Sequence, residues 1–328
     1  MVSPPMKHHT VLVLADPTEP QLAMLEALPP ETEIVAGNNI EAFERAAADA
    51  TIIFSWSIGN DLLSNVWSMS PNVEWVHSRA AGLDTVLFPE LIESPVPLTN
   101  GSGVFSHALG EFFLGAALFF AKGLRRMVHS QEAGQWDQFD IVEVAGQTVG
   151  IVGYGDIGRA CASRARAMDM RVLAVKRHPP AASHSDPLVE RTYGPGGLHE
   201  VLGLSDYVVV AAPLTPETRG MIGDAEFAAM KREAVIINVG RGPVIDEAAM
   251  VRALTERRIK GAALDVFDRE PLPDGHPFYR LDNLLLSPHC ADHTSDWLER
   301  AMNFFIEQFE RFRTGQPLLN VVDKKLGY

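Results

Sequence analysis

The stretch TVGIVGYGDIGRACASRARAMDMRVLAVKRH, residues 148–178, constrains the fold of this chain more than any other. An apolar run leads into the glycine-rich turn GYGDIG at 153–158, which opens a helix, and a second apolar run follows that helix. A glycine turn between a strand and a helix leaves backbone N–H groups at the helix N-terminus, where a pyrophosphate binds well. In this context the turn predicts a dinucleotide-binding βαβ unit.

The three glycines of this turn have separate expected roles. Gly153 permits the tight turn, Gly155 lets the backbone approach the phosphates, and Gly158 lets the helix pack closely on the strand. The charge of Asp156 is unfavourable beside phosphates unless its side chain points away. The predicted cofactor-binding residues of the turn are Gly153, Tyr154, Gly155, Asp156, Ile157 and Gly158.

The second strand of this unit ends in basic residues, where an acidic side chain would usually accept hydrogen bonds from an adenosine ribose. Lys176 and Arg177, followed by His178, would attract a 2′-phosphate that a carboxylate would repel. The sequence therefore favours NADP(H), with Lys176 and Arg177 as cofactor-binding residues. The alternative is an ordinary solvated strand end that binds no phosphate.

Short apolar β-rich runs alternate with helical segments along the whole chain, which is typical of parallel sheets covered by helices on both faces. One set precedes the Pro-, Gly- and Ser-rich segment 89–104, and a second set of six strands begins at Thr148. The sequence therefore predicts an α/β protein with two doubly wound parallel sheets. Helices are expected near residues 19–28, 41–48, 106–122 and 294–313.

The formal charge of −14 argues against a nucleic acid or an anionic membrane as the main partner, since both would repel the chain. Cys161 and Cys290 lie far apart in the sequence and fit a reducing compartment, and no metal-ligand pattern occurs. The most apolar stretch, at 112–121, is shorter than the roughly 20 residues of a membrane span and is expected to form a fully buried helix. Since the start of the chain lacks the apolar run of a secretory signal, a cytoplasmic protein is expected.

Three reactive side chains each follow an apolar strand of the second set. They are Arg241 in INVGRGP, Glu270 in DREPLP and His289 in SPHCADH. Because ligands bind beyond the carboxyl ends of strands in open α/β sheets, these side chains are expected in one crevice. A guanidinium can bind a carboxylate through two parallel hydrogen bonds, and an imidazole can transfer a proton. A neighbouring carboxylate favours imidazolium, so Glu270 is expected to keep His289 protonated.

Several motifs, in this order along the chain, resemble those of the D-isomer-specific 2-hydroxyacid dehydrogenase family, in particular the glyoxylate/hydroxypyruvate reductase type. VHSRAAGLDTV at 76–86 resembles the family's substrate loop, and PLTPETRGMI at 213–222 resembles its signature beside the nicotinamide. INVGRG, ALDVF with EPLP, and SPH resemble its catalytic segments. The final GQPLLNVVDKKLGY is also similar, so the resemblance covers nearly the whole chain.

The resemblance implies a role for each matched residue. Arg241 would bind the substrate carboxylate and polarise the carbonyl group, His289 would be the acid and base, and Glu270 would be its partner. Ala81 and Gly82 would offer backbone N–H groups to the same carboxylate. Four further residues would lie around the cofactor: Pro213, Thr215, Asn238 and Asp265.

The resemblance also implies a flavodoxin-like substrate domain, split between residues 1–104 and 292–328, and a Rossmann-type cofactor domain at 105–291. The implied reaction is hydride transfer from NAD(P)H, with NADPH favoured by the basic strand end, to a small 2-oxo acid such as glyoxylate or hydroxypyruvate. The product would be the D-2-hydroxy acid. The apolar helix at 106–122 and the arm through Trp136 resemble the family's two-fold contact, so a homodimer is expected.

Two other interpretations stay open. One keeps the family but uses NAD(H) or a larger 2-hydroxy acid, with Arg177 stacking on the adenine. The other is a non-catalytic, nucleotide-sensing interaction protein, as in the family's corepressor branch. No basic tail or disordered peptide-binding arm in the sequence favours this second interpretation.

Overall fold

The structure, a computed structural model, describes residues 8–56, 60–179 and 186–328. Contacts between residues divide the chain into two compact units. Unit 1 comprises the chain up to Phe105 together with Ser295–Tyr328, and unit 2 comprises Ser106–Thr294. Each unit is built on one sheet of parallel strands. The predicted fold class, α/β with two parallel sheets, is confirmed.

The elements are numbered along the chain. The strands are β1 (Thr10–Leu14), β2 (Glu33–Gly37), β3 (Ile52–Ser55), β4 (Trp75–Ser78), β5 (Leu98–Thr99), β6 (Thr148–Val152), β7 (Arg171–Val175), β8 (Arg191–Tyr193), β9 (Tyr207–Val210), β10 (Val235–Asn238), β11 (Gly261–Leu264) and β12 (Leu284–Leu286). The helices are α1 (Asn60–Met69), α2 (Pro89–Glu93), α3 (Ser106–Ala121), α4 (Leu124–Glu132), α5 (Asp156–Ala167), α6 (Leu198–Leu204), α7 (Asp224–Ala229), α8 (Glu247–Thr255) and α9 (Trp297–Arg313).

The sheet of unit 1 has the order β2-β1-β3-β4-β5, which is the order of flavodoxin-like sheets. All residues of β1, β3 and β4 are buried, because apolar side chains of this unit cover both faces of the sheet. On one face α9 packs its apolar stripe, and the ring of Phe305 stacks on that of Phe54 with centroids 3.9 Å apart. This sheet places the loops after β3, β4 and β5 at one edge.

Two helices predicted in unit 1 are not α-helices. The segment near 19–28 is a 3₁₀ helix at Pro20–Ala27, and the segment near 41–48 consists of turns that end in a 3₁₀ helix at Ala47–Asp49. Pro29 and Pro30 end the first segment within eight residues, and the second is equally short. Such short segments gain too few hydrogen bonds to offset the cost of starting an α-helix.

The sheet of unit 2 has the order β12-β11-β10-β9-β6-β7-β8. The six predicted strands are present. A seventh strand, β8, was not predicted, because it has only three residues, an exposed first residue and no apolar run. The chain leaves β6 towards β7 on one side and returns to β9 on the other. The switch point between β6 and β9 is where dinucleotides bind in such sheets.

Helix α3 is not fully buried, contrary to the prediction. Leu109, Phe113 and Ala117 lie in the core, whereas Glu111 and Gly115 are exposed. The helix packs on the sheet with one face only, so only a stripe of small and apolar residues is buried. Within the described part of the chain, no single helix is long and apolar enough to cross a membrane. The bent pair of α3 and α4 passes that test by length and composition alone.

Candidate active site

The glycine turn after β6 has the geometry of a phosphate-binding loop. Gly153 has a φ of 93°, and a Cβ atom there would lie 2.4 Å from the backbone nitrogen of Ala212, so only glycine fits. A Cβ atom on Gly155 would meet nothing within 4 Å, so open space lies beside the backbone. Gly155 is also the N-cap of α5, and no side chain caps that helix. Uncapped N–H groups next to open space fit a pyrophosphate.

The other residues of the turn differ in exposure. Asp156 is exposed at the first position of α5, where a negative charge stabilises the helix dipole. Ile157 packs against the core of unit 2, and burial raises the pKa of the Tyr154 phenol. A Cβ atom on Gly158 would lie 2.6 Å from the carbonyl oxygen of Gly153, so α5 packs directly on the turn.

The basic strand end follows β7 and already has an acidic neighbour. Lys176 and His178 are exposed, whereas a nitrogen of the Arg177 guanidinium lies 2.9 Å from a carboxylate oxygen of Glu217. Glu217 belongs to the loop after β9, and no sequence motif pointed to it. Ion pairs at the surface contribute little, so a dianionic ligand would compete well for this arginine.

The loop after β9 carries two of the residues matched to the cofactor. The N–H group of Thr215 donates to the Thr218 hydroxyl at 2.8 Å, and that hydroxyl donates to the Pro213 carbonyl at 2.6 Å. Pro213 is exposed and Thr215 is buried. The Thr215 side chain is also the main cause of the lowered pKa of Glu217. These contacts fix the shape of the loop.

Asn238, the last residue of β10, holds the turn that carries Arg241. Its Oδ1 accepts a hydrogen bond from the Gly240 N–H group at 3.1 Å, and its Nδ2 donates to the Arg241 carbonyl at 3.1 Å. A Cβ atom on Gly242 would lie 1.9 Å from the backbone carbonyl carbon of Phe267, so the turn packs directly on the segment after β11. The family motif matched Asn238 to the cofactor and did not indicate this contact with the Arg241 turn.

His289 and Glu270 form a hydrogen-bonded ion pair. The Nδ1 atom of His289 lies 2.5 Å from Oε2 of Glu270, and Oε1 of Glu270 accepts from the Phe267 N–H group at 2.8 Å. Arg241, Glu270 and His289 follow the neighbouring strands β10, β11 and β12. The carboxyl ends of neighbouring parallel strands lie at one edge of the sheet, so the three residues follow strands that end at that edge.

The electrostatics of the pair favour imidazolium and carboxylate. The hydrogen bond with Glu270 raises the pKa of His289 and outweighs burial, which acts in the opposite direction. Burial acts to raise the pKa of Glu270, but hydrogen bonds from His289 and Phe267 outweigh it, and that pKa is lowered. The positive charge of Arg241 acts to lower the pKa of both groups. The pair therefore favours the charged, protonated form of the His289 imidazole.

Asp265 anchors the loop that carries His289. Its buried Oδ1 accepts hydrogen bonds from the Ser287 hydroxyl at 2.5 Å and from the N–H groups of Cys290 and Ala291, both at 3.0 Å. His289 lies between these residues with a φ of 52°, in the left-handed region that side chains with a Cβ rarely adopt. Asp265 therefore offsets the cost of this backbone conformation, a role that its motif did not indicate.

A loop of unit 1 carries two backbone N–H groups with the same orientation. The Ala80 carbonyl accepts from the Gly101 N–H group at 3.2 Å, and the Ala81 carbonyl accepts from Asn100 Nδ2 at 2.7 Å. In a trans peptide bond the carbonyl group and the N–H group of the following residue point in opposite directions. The N–H groups of Ala81 and Gly82 therefore point away from Gly101 and from the Asn100 side chain. Neither N–H group has a hydrogen-bond partner among residues 8–56, 60–179 and 186–328. Adjacent N–H groups of this kind can bind a carboxylate.

Asn100 and Asn320 hold this loop, and no motif pointed to either residue. Asn100 directly follows β5 and is 7% exposed. Asn320, near the end of the chain, donates from its Nδ2 to the carbonyls of Asn100 at 3.3 Å and Ser102 at 2.7 Å. The Asn-Gly pair at 100–101 is a turn signal in the sequence, but such a signal does not identify what the turn contacts.

Comparison with known proteins identifies the family. The family described as "D-isomer specific 2-hydroxyacid dehydrogenase, NAD binding domain" matches residues 114–291, which include the glycine turn, Arg241, Glu270 and His289. The chain belongs to the D-isomer-specific 2-hydroxyacid dehydrogenase family. The predicted resemblance and the enzyme class that it implied, nicotinamide-dependent 2-hydroxyacid dehydrogenases, are thereby confirmed.

Members of this dehydrogenase family resemble the chain over most of its length. A glyoxylate reductase of Thermofilum pendens is 36% identical over 248 residues, which cover 72% of this chain and 71% of that protein. A D-3-phosphoglycerate dehydrogenase of Methanocaldococcus jannaschii is 30% identical over 95% of this chain, but the match spans only 59% of its own length. The crystal structure of an NADPH-dependent glyoxylate/hydroxypyruvate reductase from Sinorhizobium meliloti, in complex with NADP and sulfate, has a TM-score of 0.83 at 30% identity and covers 98% of this chain and 100% of that one.

For a dehydrogenase of this family, the His289–Glu270 pair predicts a specific pH dependence. Glu270 raises the pKa of His289, and the imidazolium is present below that pKa. In the variant Glu270→Gln the pKa of His289 falls, so the rate of 2-oxo acid reduction is expected to decline at a lower pH than in the unmodified protein. The measurement is the pH profile of kcat/KM for reduction.

The matched control for that experiment is Glu226→Gln, which breaks a histidine–carboxylate pair with His199 at 2.8 Å elsewhere in unit 2. The control is expected to leave the pH profile unchanged. A profile for Glu270→Gln that coincides with that of the unmodified protein would show that Glu270 does not set the protonation of His289.

Proposed function

We propose that this chain is a reductase that transfers a hydride from NADPH to a small 2-oxo acid of the glyoxylate or hydroxypyruvate type, giving the D-2-hydroxy acid. The observation that carries the proposal is the His289–Glu270 pair at the sheet edge of Arg241. Reduction of a 2-oxo acid needs a proton for the carbonyl oxygen and a cation for the carboxylate, and these side chains supply both. The relatives named glyoxylate reductase support this substrate class.

In this proposal unit 2 binds the cofactor and the split unit 1 binds the substrate. The glycine turn binds the pyrophosphate at the N-terminus of α5. Asp265 and Asn238 act on the cofactor side in addition to holding the His289 and Arg241 segments. The loop with Pro213 and Thr215 follows β9, next to the switch point of the sheet, and contacts the nicotinamide half.

In this proposal each residue around the substrate has a separate chemical role. The nicotinamide, when bound, supplies the hydride. Arg241 binds the substrate carboxylate through two parallel hydrogen bonds and polarises the carbonyl group, and the N–H groups of Ala81 and Gly82 bind the same carboxylate. Because Nδ1 of His289 is hydrogen-bonded to Glu270, its Nε2 carries the proton that passes to the carbonyl oxygen. Glu270 stabilises the imidazolium until that transfer.

The preference for NADPH over NADH is a separate part of the proposal. Lys176 and Arg177 directly follow β7, where the adenosine ribose of a bound dinucleotide is expected. The similar reductase of S. meliloti is described as NADPH-dependent, which supports the assignment. Glu217 opposes it, since its carboxylate pairs with Arg177. The alternative is an NAD(H)-dependent enzyme in which Arg177 stacks on the adenine.

The double variant Lys176→Ala/Arg177→Ala tests the cofactor preference. Each lost charge-assisted hydrogen bond to the 2′-phosphate is expected to weaken NADPH binding by roughly tenfold or more. NADH, which lacks that phosphate, is expected to bind with little change. The measurement is the dissociation constant of each cofactor, obtained by fluorescence titration of the double variant and of the unmodified protein.

Glu217→Gln provides the opposite change at the same place. It removes a carboxylate that competes for Arg177, so NADPH is expected to bind more tightly while NADH binding is unchanged.

Equal losses of NADPH and NADH affinity in the double variant Lys176→Ala/Arg177→Ala would contradict the assignment of NADP(H).

The enzyme proposal itself is tested by a steady-state assay with NADPH, NADH and a panel of 2-oxo acids. Turnover of glyoxylate or hydroxypyruvate supports it, and preference for a long-chain acid with NADH would support the second interpretation within the family. Tight nucleotide binding without turnover of any 2-oxo acid would favour a nucleotide-sensing interaction protein instead.

We also infer a homodimer. Apolar side chains of α4 and the segment after it are exposed in a single chain, and Trp136 is 92% exposed. A second copy of the chain would bury them, because the surface of a stable monomer rarely leaves so many large apolar groups in water.

Sedimentation is expected to give a dimer, and Trp136→Glu is expected to shift it to monomer. A monomer at all concentrations of the unmodified protein would contradict this inference. The exposed apolar side chains that the second copy would bury are Leu124, Met127, Val128, Trp136, Ile141 and Val142.

A further inference from the structure

One carboxylate of unit 2 contacts both sides of the loop that carries Glu270. Glu247 is the first residue of α8, and its Oε1 lies 3.1 Å from Nε2 of His276. Its Oε2 accepts a hydrogen bond from the Asp268 N–H group at 3.4 Å. Asp268 precedes Glu270 in the chain and His276 follows it, so Glu247 connects the two ends of the segment 268–276.

The hydrogen bonds of His276 determine which ring nitrogen carries its proton. Nδ1 of His276 accepts from the Phe278 N–H group at 3.3 Å, so the proton is on Nε2 and is donated to Glu247. The imidazole ring packs edge to face against the buried ring of Phe278, with centroids 4.6 Å apart. Only 15% of the His276 side chain is exposed. The fold therefore sets both the position and the tautomer of this donor.

The same segment packs on the turn that carries Arg241. A Cβ atom on Gly242 would lie 2.6 Å from the backbone nitrogen of Asp268, whose hydrogen Glu247 accepts. Glu247 follows Arg241 closely in the chain, after a 3₁₀ helix at Gly242–Val244. Glu247 is thus joined to the Arg241 turn through the chain and to the segment 268–276 through hydrogen bonds.

Stabilisation of α8 alone does not account for these contacts. A carboxylate in the first turn of a helix stabilises the helix dipole without any partner. Glu247 has in addition two donors from another segment, one on each side of Glu270. The Glu270 carboxylate accepts from the N–H group of Phe267, the residue directly before Asp268, so its orientation depends on this part of the segment.

We propose that Glu247 and His276 are positioning residues that hold Glu270 in the orientation in which it pairs with His289. They act through Glu270 and contact neither the substrate nor the cofactor. The Glu270–His289 hydrogen bond needs its two partners within a narrow range of distance and angle, and a loop without these contacts would sample many other conformations. This inference rests on the proposed function and deepens it by naming the residues on which the partner of His289 depends.

The first test is the pH profile of kcat/KM for glyoxylate reduction with NADPH. Glu247→Gln leaves one carbonyl oxygen for two donors, and His276→Leu removes one of those donors. In both variants Glu270 is expected to pair less well with His289, so the decline in rate moves to a lower pH, in the same direction as in Glu270→Gln. Since the pair is misplaced, kcat is expected to fall about tenfold.

Two comparisons separate positioning from packing. His276→Gln keeps an N–H donor near the place of Nε2 and is expected to restore most of the rate and of the pH profile. In the double variant Glu247→Gln/Glu270→Gln, the pH profile is expected to match that of Glu270→Gln alone. A residue that acts through the Glu270 carboxylate has no effect on the profile once that carboxylate is absent.

The matched control is Glu226→Gln, because Glu226 has the same two kinds of donor elsewhere in unit 2. It lies in the first turn of α7, and it accepts from Nε2 of His199 at 2.8 Å and from the Gly223 N–H group at 3.0 Å. This variant is expected to keep both the rate and the pH profile of the unmodified protein.

Three results would overturn the inference. The first is an unchanged pH profile in Glu247→Gln and His276→Leu, and the second is a further shift when Glu247→Gln is added to Glu270→Gln. The third is a lowered melting temperature without a shift of the profile, which would leave Glu247 with a role in stability only.

The failure of this inference is distinct from the failure of the proposed function. If the unmodified protein reduces no 2-oxo acid, the reductase proposal fails, and the positioning of Glu270 is measured without turnover. NMR titration of the His289 ring, with its signals assigned by their loss in His289→Gln, is expected to give a lower pKa in Glu247→Gln than in the unmodified protein. Asp265 and Arg241, which also act on that pKa, are present in both proteins. An equal pKa in the two proteins would overturn the role of Glu247 whether or not the protein is a reductase.

Discussion

Replacing His289 with glutamine is expected to lower kcat for 2-oxo acid reduction by about two to four orders of magnitude. Glutamine keeps a hydrogen-bonding side chain of similar size but cannot donate a proton to the carbonyl oxygen as negative charge develops there. The binding of NADPH should change little, because the contacts proposed for the nucleotide lie on the glycine turn and the basic strand end. Steady-state kinetics and a nucleotide titration of the same preparation measure both quantities.

The matched control for that variant is His199→Gln. His199 also pairs with a carboxylate, that of Glu226 at 2.8 Å, but it lies on α6, away from the loops after β10, β11 and β12. The control is expected to keep its turnover number. A turnover number in His289→Gln equal to that of the unmodified protein would assign the proton donor to another group.

Replacing Arg241 with lysine is expected to have the second largest effect. Lysine keeps the positive charge but cannot make two parallel hydrogen bonds to a carboxylate, so kcat/KM should fall roughly ten- to a hundredfold. Arg241→Gln also removes the charge that polarises the carbonyl group, and we expect a loss of about two to three orders of magnitude. In both variants KM for the 2-oxo acid should rise while KM for NADPH stays nearly constant.

Arg252→Lys serves as the control for these variants, because Arg252 on α8 pairs with Asp224 at 2.6 Å at the surface of the same unit. Its kinetics should match those of the unmodified protein. If Arg241→Lys and Arg252→Lys behave alike, Arg241 does not bind the substrate carboxylate.

Local sequence pattern was a good guide to the regular elements and a poor guide to short ones. The apolar runs that became β6, β7, β9, β10, β11 and β12 are continuous, and such runs between helices predict buried parallel strands. Strand β8 has three residues and an exposed arginine, so no pattern marks it. The segment near 41–48 has a helical composition, but whether it forms an α-helix depends on length and on the elements that follow.

The residues of the candidate site were likewise predictable only where a local sequence pattern marked them. Arg241, Glu270 and His289 were recognisable because each is a reactive side chain directly after an apolar strand, and parallel strands align their carboxyl ends. Glu217 beside Arg177 and Asn100 under Ala81 were not recognisable. Their partners lie 40 and 19 residues away in the chain, and no local period encodes which loops meet.

The sequence alone determined the α/β class, the glycine turn between β6 and α5 and the residue types available for proton and carboxylate chemistry. These depend on hydrophobic periodicity and on glycine conformations, which are properties of neighbouring residues. Only the tertiary structure decided that Asp265 holds the left-handed His289 loop, that Asn238 holds the Arg241 turn, and that Glu247 contacts both ends of the loop after β11. These are contacts between separate segments, and folding brings their partners together through the shared core.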